Sequence, residues 1–262
     1  MSNYYTFLGK ELMENLRTKK VLVLACVFAF FAITSPLLAR YLIEFIGLFA
    51  GGDEMMETMI AAMGTPHWSE SYMQLYSNFS QIGSITIILI YMGTIMREKS
   101  SGTADLVFTK GLSPTAFVLA KFTVAGIIII IATMASVFIA YVYTLMLFED
   151  GGQIGNVLVS GLIFTVFLLM LLAINMLFSA LAKSSGTCAV FGLLTYFALA
   201  LSTILMRIGQ YSPGALMSSP LQVSTGTYPD GLVVSIIVAV VFTVLSLWAA
   251  VSLTAKRQAQ SS

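Results

Sequence analysis

Few residues in this 262-residue chain can do chemistry, and their spacing limits what that chemistry is. The one histidine, His67, has no second histidine to complete an H-E-x-x-H zinc motif. No pair of carboxylates sits within an apolar run, where a general acid and a general base would have to be held. Cys26 and Cys188 each lie within long apolar stretches, where free cysteine behaves as a small apolar side chain and points to neither a disulfide nor a metal. One ligand set stands apart: Met55, Met59 and Met63 recur every four residues, on one face of a helix, and His67 follows. Thioethers select soft ions such as Cu(I), so a copper-linked role is one reading. An amphipathic helix resting its methionines on the outer leaflet is the other.

The pentapeptide Lys-Ser-Ser-Gly-Thr occurs at 99–103 and again at 183–187, each time at the end of an apolar run. Glycine amides near serine and threonine can cradle phosphate, but a P-loop requires G-x-x-x-x-G-K-[ST], which the chain lacks. The residues flanking the two copies do not align, which argues against an internal duplication. Both copies read as a helix end followed by a new N-cap.

What must position these residues is a set of membrane helices. Hydrophobic residues make up 58% of the chain and charged residues 10%, too apolar a balance to hide in a water-soluble core. Six runs suffice for the roughly 20 residues that cross a hydrocarbon core as helix, at about 21–41, 78–96, 116–147, 155–182, 187–206 and 232–254. Runs such as 125–140 are apolar on all sides rather than alternating, which excludes β-barrel strands. The expected fold is an all-α integral membrane protein, with an interfacial segment at 1–20, one six-span domain at 21–255 and a short tail at 256–262.

Charge sorts by side. With the N-terminus inside, Lys10, Arg17, Lys19, Lys20, Arg97, Lys99, Lys110, Lys121, Lys183, Lys256 and Arg257 are cytoplasmic, and Arg40 and Arg207 alone lie outside. This bias predicts a multi-pass cell-membrane protein with both termini in the cytoplasm. The net charge of +1 is thus a polarised neutrality, with no basic field for nucleic acid.

The head carries Leu8, Leu12 and Leu16 at i, i+4 and i+8, the pattern of a helix lying on the inner membrane surface. The proline-rich segment 207–231 is too broken to span and too apolar to float, so short helices in the outer leaflet are expected there. Between the second and third spans, Thr103 can cap a short helix at 104–110, with Asp105 in its first turn and Lys110 and Gly111 at its end. Ser113 and Pro114 then restart the chain as N-cap and first helical residue. A helix of under two turns needs something to rest on, and Leu106, Val107 and Phe108 are what it offers.

The stretch 96–121 resembles the segment after the second span of ABC-2-type transporter permeases, through Glu98, Gly102, Thr103, Leu106, Thr109, the Ser113–Pro114 turn and Lys121. The six-span layout, the amphipathic head and the segment 178–187 resemble that family too. The resemblance implies that 104–110 is a coupling helix docking on a separate ABC ATPase subunit, with Glu98, Gly102, Thr103, Asp105, Leu106, Phe108 and Lys110 as docking residues. It also implies a second permease copy or paralogue, and ATP with Mg²⁺ bound by the partner rather than by this chain.

Inside the spans no ionisable group stands away from the ends, which argues against proton- or ion-driven transport and for borrowed energy. Asn175, Tyr141 and Tyr196 are the polar side chains expected to face a substrate path for an amphipathic or lipophilic cargo such as a peptide, lipid or drug. A non-transporting membrane scaffold or sensor is the reading from another class.

Overall fold

The computed structural model describes residues 2–50, 64–203 and 209–261, and no strand occurs among them. Helix α1 (Ser2–Arg17) is followed by α2 (Lys20–Ala50), α3 (Trp68–Asn78), a π-helical turn (Phe79–Gly83), α4 (Ser84–Tyr91), α5 (Thr94–Ser100) and α6 (Thr103–Thr109). Helices α7 (Pro114–Phe148), α8 (Ile154–Leu181) and α9 (Ser185–Ser202) come next. Two 3₁₀ turns (Gly209–Tyr211 and Pro213–Met217), α10 (Ser219–Ser224) and α11 (Leu232–Ser261) complete the chain. Six of the helical runs are long and apolar enough to cross a membrane, the second being the run Trp68–Ser100.

The central helix is α8. Its most apolar window is 72% buried, against 22% for α9 and α11. It packs on α11, α7, α10, α9, α4 and α5, so it touches most of the bundle. Helix α2 lies against α7 and α3 on the other side. Without a hydrophobic drive between helices in lipid, such contacts rest on packing and on buried hydrogen bonds.

The second span begins at Trp68, ten residues before the expected 78, because Glu70 and Gln74 lower the hydropathy of a segment whose inner face is nevertheless Tyr72, Leu75 and Tyr76, all buried. Its N-cap is His67, whose Nδ1 accepts from the Ser69 amide at 3.3 Å. Met55, Met59 and Met63 lie outside the described residues.

The proline-rich segment forms short helical turns, as its sequence suggests. The second 3₁₀ turn and α10 bury Pro213, Leu216, Pro220 and Val223 against α8, α3 and α11. Gly214 permits this: a Cβ there would stand 2.2 Å from the Leu199 carbonyl oxygen.

Candidate functional site

The site lies where the second span ends. The helix breaks at Met92 and Gly93, the latter at φ +69°, and restarts as α5. A restarted helix has orphan amides in its first turn. Those of Ile95 and Met96 donate to Ser179 Oγ of α8 at 2.9 and 3.1 Å, a cap supplied from another helix. A Cβ at residue 93 would sit 2.7 Å from Ser185 Oγ, so glycine is needed there for space as well as for backbone conformation.

Asn175, about one turn of α8 before Ser179, braces the helix just ahead of the break. It is 1% exposed, its Nδ2 donates to the Ile88 carbonyl at 2.9 Å, and its Oδ1 accepts from Cys188 Sγ at 3.3 Å. Its polar groups are spent on packing α4 and α9 against α8. Tyr196 is buried beside a small groove that Ser77 and Gln81 also line, and Tyr141 is half-buried.

Beyond the break, Glu98 is 7% exposed. Its Oε1 receives Lys10 Nζ at 2.6 Å and Lys121 Nζ at 2.7 Å. Lys121 also reaches Glu11 at 2.8 Å, and Lys10 reaches Glu11 at 3.1 Å and Glu14 at 3.0 Å. The Lys121 ammonium stands 5.0 Å from the Phe117 ring centroid and 5.7 Å from that of Phe7. Two lysines and three carboxylates thus pin α1, α5 and α7 together. Burial alone lowers the pKa of Lys10, but bonding and charge from Glu98 and Glu11 outweigh it and hold the ammonium above its ordinary range. Glu11, Glu14 and Glu98 approach closely enough to resemble a cation site, yet the two ammonium groups already occupy the space between them.

Helix α1 is turned accordingly. Phe7, Glu11 and Asn15, at i, i+4 and i+8, form its protein-facing stripe, while Leu12 and Leu16 are exposed. The leucine face is thus left for the membrane surface.

Helix α6 hangs from this cluster. Its N-cap is Gly102, in the left-handed region with no side-chain cap, and Thr103 is its first residue. Thr103 was expected to cap the helix, but its hydroxyl pairs with Ser101 Oγ at 2.9 Å instead. The end follows the expected chemistry, with Gly111 at φ +84° and Ser113 Oγ accepting from the Ala116 amide at 3.2 Å. Of the apolar residues it was expected to offer, Leu106 is 65% exposed, and Asp105 and Lys110 are exposed beside it. Phe108 is turned inward, 5.3 Å edge-on to Phe117, and Val107 packs on the core. Glu98 is likewise turned inward. An apolar groove of about 290 Å³ separates α6 from α1, lined by Thr6, Phe7, Lys10, Val107, Lys110 and Leu112.

Sequence reasoning missed Lys10, Glu11 and Ser179 as parts of this site. A readable signal was Lys121, a charge placed inside the second turn of an otherwise apolar helix. The second Lys-Ser-Ser-Gly-Thr copy is a helix junction in which Ser184 Oγ accepts from the Thr187 amide at 3.2 Å.

Comparison with known proteins agrees with this architecture. The family model described as "ABC-2 family transporter protein" matches residues 5–222. The chain is also 24% identical over 186 residues to the uncharacterized transmembrane protein YxlG of Bacillus subtilis (strain 168), covering 71% of this chain and 70% of that protein. With a matching model that runs from α1 into α10, the chain belongs to the ABC-2 transporter family, the membrane permease subunits of ABC transporters.

Proposed function

We propose that this chain is the permease subunit of an ATP-driven exporter that moves an amphipathic or lipophilic substrate outward. An ABC ATPase subunit, carrying ATP and Mg²⁺, docks on α6 from the cytoplasmic side, and a second permease copy or paralogue completes the membrane unit. The basic face, with α1, α6 and the chain's C-terminus, is the cytoplasmic face of the cell membrane, as the distribution of Lys and Arg supports.

The observation that carries this reading is the mounting of α6. It presents Leu106 outward, and its base is joined through Glu98 and Lys121 to two spans and to α1. A push on Leu106 is therefore delivered to the ends of the second and third spans together. The chain has no nucleotide-binding motif of its own, so the push comes from a partner.

The test is purification of the tagged chain from its native membranes in mild detergent. A P-loop ATPase is expected to accompany it, and to be released by Leu106→Glu. Absence of any ATPase from a folded preparation overturns the reading.

A further inference from the structure

The grooves of this bundle differ in what they offer a ligand. Phe31 and Leu38 line one between α2 and α3, and Phe7 and Val107 line the one between α6 and α1, so both are apolar. At the end of the bundle opposite Glu98 lies a groove of another chemistry. Its volume is about 520 Å³, within the roughly 300–1,000 Å³ of small-molecule sites, and its lining is chiefly polar. Three parts of the chain supply that lining: Trp68 at the start of α3, the turn from α7 into α8, and the end of α10.

Internal bonds fix the groove before any ligand arrives. Tyr72 Oη donates to the Gly151 carbonyl at 2.7 Å, which ties the turn to α3, and Asp150 Oδ1 accepts from the Gly152 amide at 2.9 Å. Tyr228 Oη donates to Asn156 Oδ1 at 3.1 Å, joining the start of α8 to the segment before α11. Two glycines keep the space open. A Cβ at residue 152 would stand 2.8 Å from Trp68 Cη2, and one at residue 226 would stand 3.2 Å from Asn156 Nδ2.

Those same bonds leave particular groups unspent. Gln153 uses its Oε1, which accepts from Asn156 Nδ2 at 3.4 Å. Among the described residues, Gln153 Nε2 and Asp150 Oδ2 have no partner. The Thr225 hydroxyl donates to the Gln222 carbonyl at 2.8 Å and keeps its lone pairs for a donor.

The class of ligand follows by matching. Asp150 is the one charged side chain among the described lining residues, so nothing there recognises an anion. A compact cation would engage the oxygens and leave the Gln153 amide hydrogens idle. A hydroxyl both donates and accepts, and a sugar ring carries several of them around an apolar C–H face suited to indole. We propose that this groove is a binding site for a neutral saccharide, with a sugar ring against Trp68 and its hydroxyls shared among Asp150, Gln153 and Thr225. The site is separate from any path for lipophilic cargo, and it rests on the permease reading only for the side of the membrane it faces.

The test uses the full chain with Trp248→Phe, which leaves Trp68 as its one indole, in a detergent without a sugar headgroup. Linear trisaccharides of glucose and of N-acetylglucosamine are the probes, and choline is the cation control. Trp68 emission is expected to change saturably with at least one trisaccharide and not with choline. Gln153→Ala and Thr225→Val, at exposed positions where the fold survives, are each expected to weaken binding about fivefold, the scale of one hydrogen bond. No saturable change with either trisaccharide, an equal change with choline, or an affinity unaltered in both variants overturns the proposal. Flat emission from a preparation that still brings down an ATPase removes this site and leaves the permease reading standing.

Discussion

Lys121 Nζ and Glu98 Oε1 sit 2.7 Å apart, joining the second turn of α7 to the last turn of α5 and closing a loop whose tip is α6. Buried charges held this way are costly to desolvate, and removing Lys121 leaves two buried carboxylates, Glu98 and Glu11, to share Lys10 alone. Lys121→Met is therefore expected to destabilise the folded chain by about 3–5 kcal/mol. Adding Glu98→Gln should recover part of that loss. Thermal unfolding in detergent reads both; a double variant no more stable than the single one would show that Glu98 is not the charge left stranded.

Leu106→Glu and Phe108→Glu separate docking from folding. Leu106 is mostly exposed, so its substitution should change stability by less than about 0.5 kcal/mol while releasing the ATPase and stopping transport. Phe108 packs on Phe117, so the same change there should lower thermal stability before any effect on the partner can be read. Equal stability losses in both variants would refute the division of labour.

The break in the second span predicts a coupled pair. Gly93→Ala forces an L-residue into the left-handed region, at about 1–2 kcal/mol, and pushes its Cβ towards Ser185. Ser179→Ala strips two amides of their acceptor, at about 1–3 kcal/mol. Because both act on one restart of the helix, their double variant should lose less than the sum, as unfolding of all four forms of the cycle would reveal.

Asn175→Ala should reduce stability and lower transport of every cargo in the same proportion, since its side chain is spent on Ile88 and Cys188. A change in preference between two cargoes, at unchanged stability, would return Asn175 to the substrate path.

The pH dependence has a definite sign. With its pKa raised on folding, Lys10 contributes fully below the unfolded lysine value of about 10.4, and its share is lost only as pH rises through the higher folded value. Protease protection of α1 should thus be flat across about pH 6 to 9. A fall within that window would assign the docking of α1 to another group.

Local chemistry was legible in the sequence wherever a residue acts on its own neighbours. Ser113 caps and Pro114 starts α7, and Gly111 ends the turn after α6, as composition alone suggested. Length and hydropathy likewise carried the six helices. What escaped was every property set by a second helix. Glu98, Phe108 and Asn175 were each assigned outward roles, and each is claimed by a neighbour far along the chain: Lys121 and Lys10, Phe117 on α7, and Ile88 with Cys188. The leucine stripe of α1 was legible, but that the opposite, partly charged stripe is the one buried in protein follows only from the position of Lys121.

That inverted packing of α1 bears on how the chain is made. Glu11 is synthesised 110 residues before its partner Lys121, and 87 residues separate it from Glu98 even earlier in the order of emergence from the ribosome. Until the third span arrives, Lys10 is the ammonium of this cluster present for Glu11, Glu14 and Glu98, and α1 has α2 but not α7 to pack on. The docking of α1 is therefore completed late in synthesis: the arrival of Lys121 closes the cluster that holds this helix to the third span.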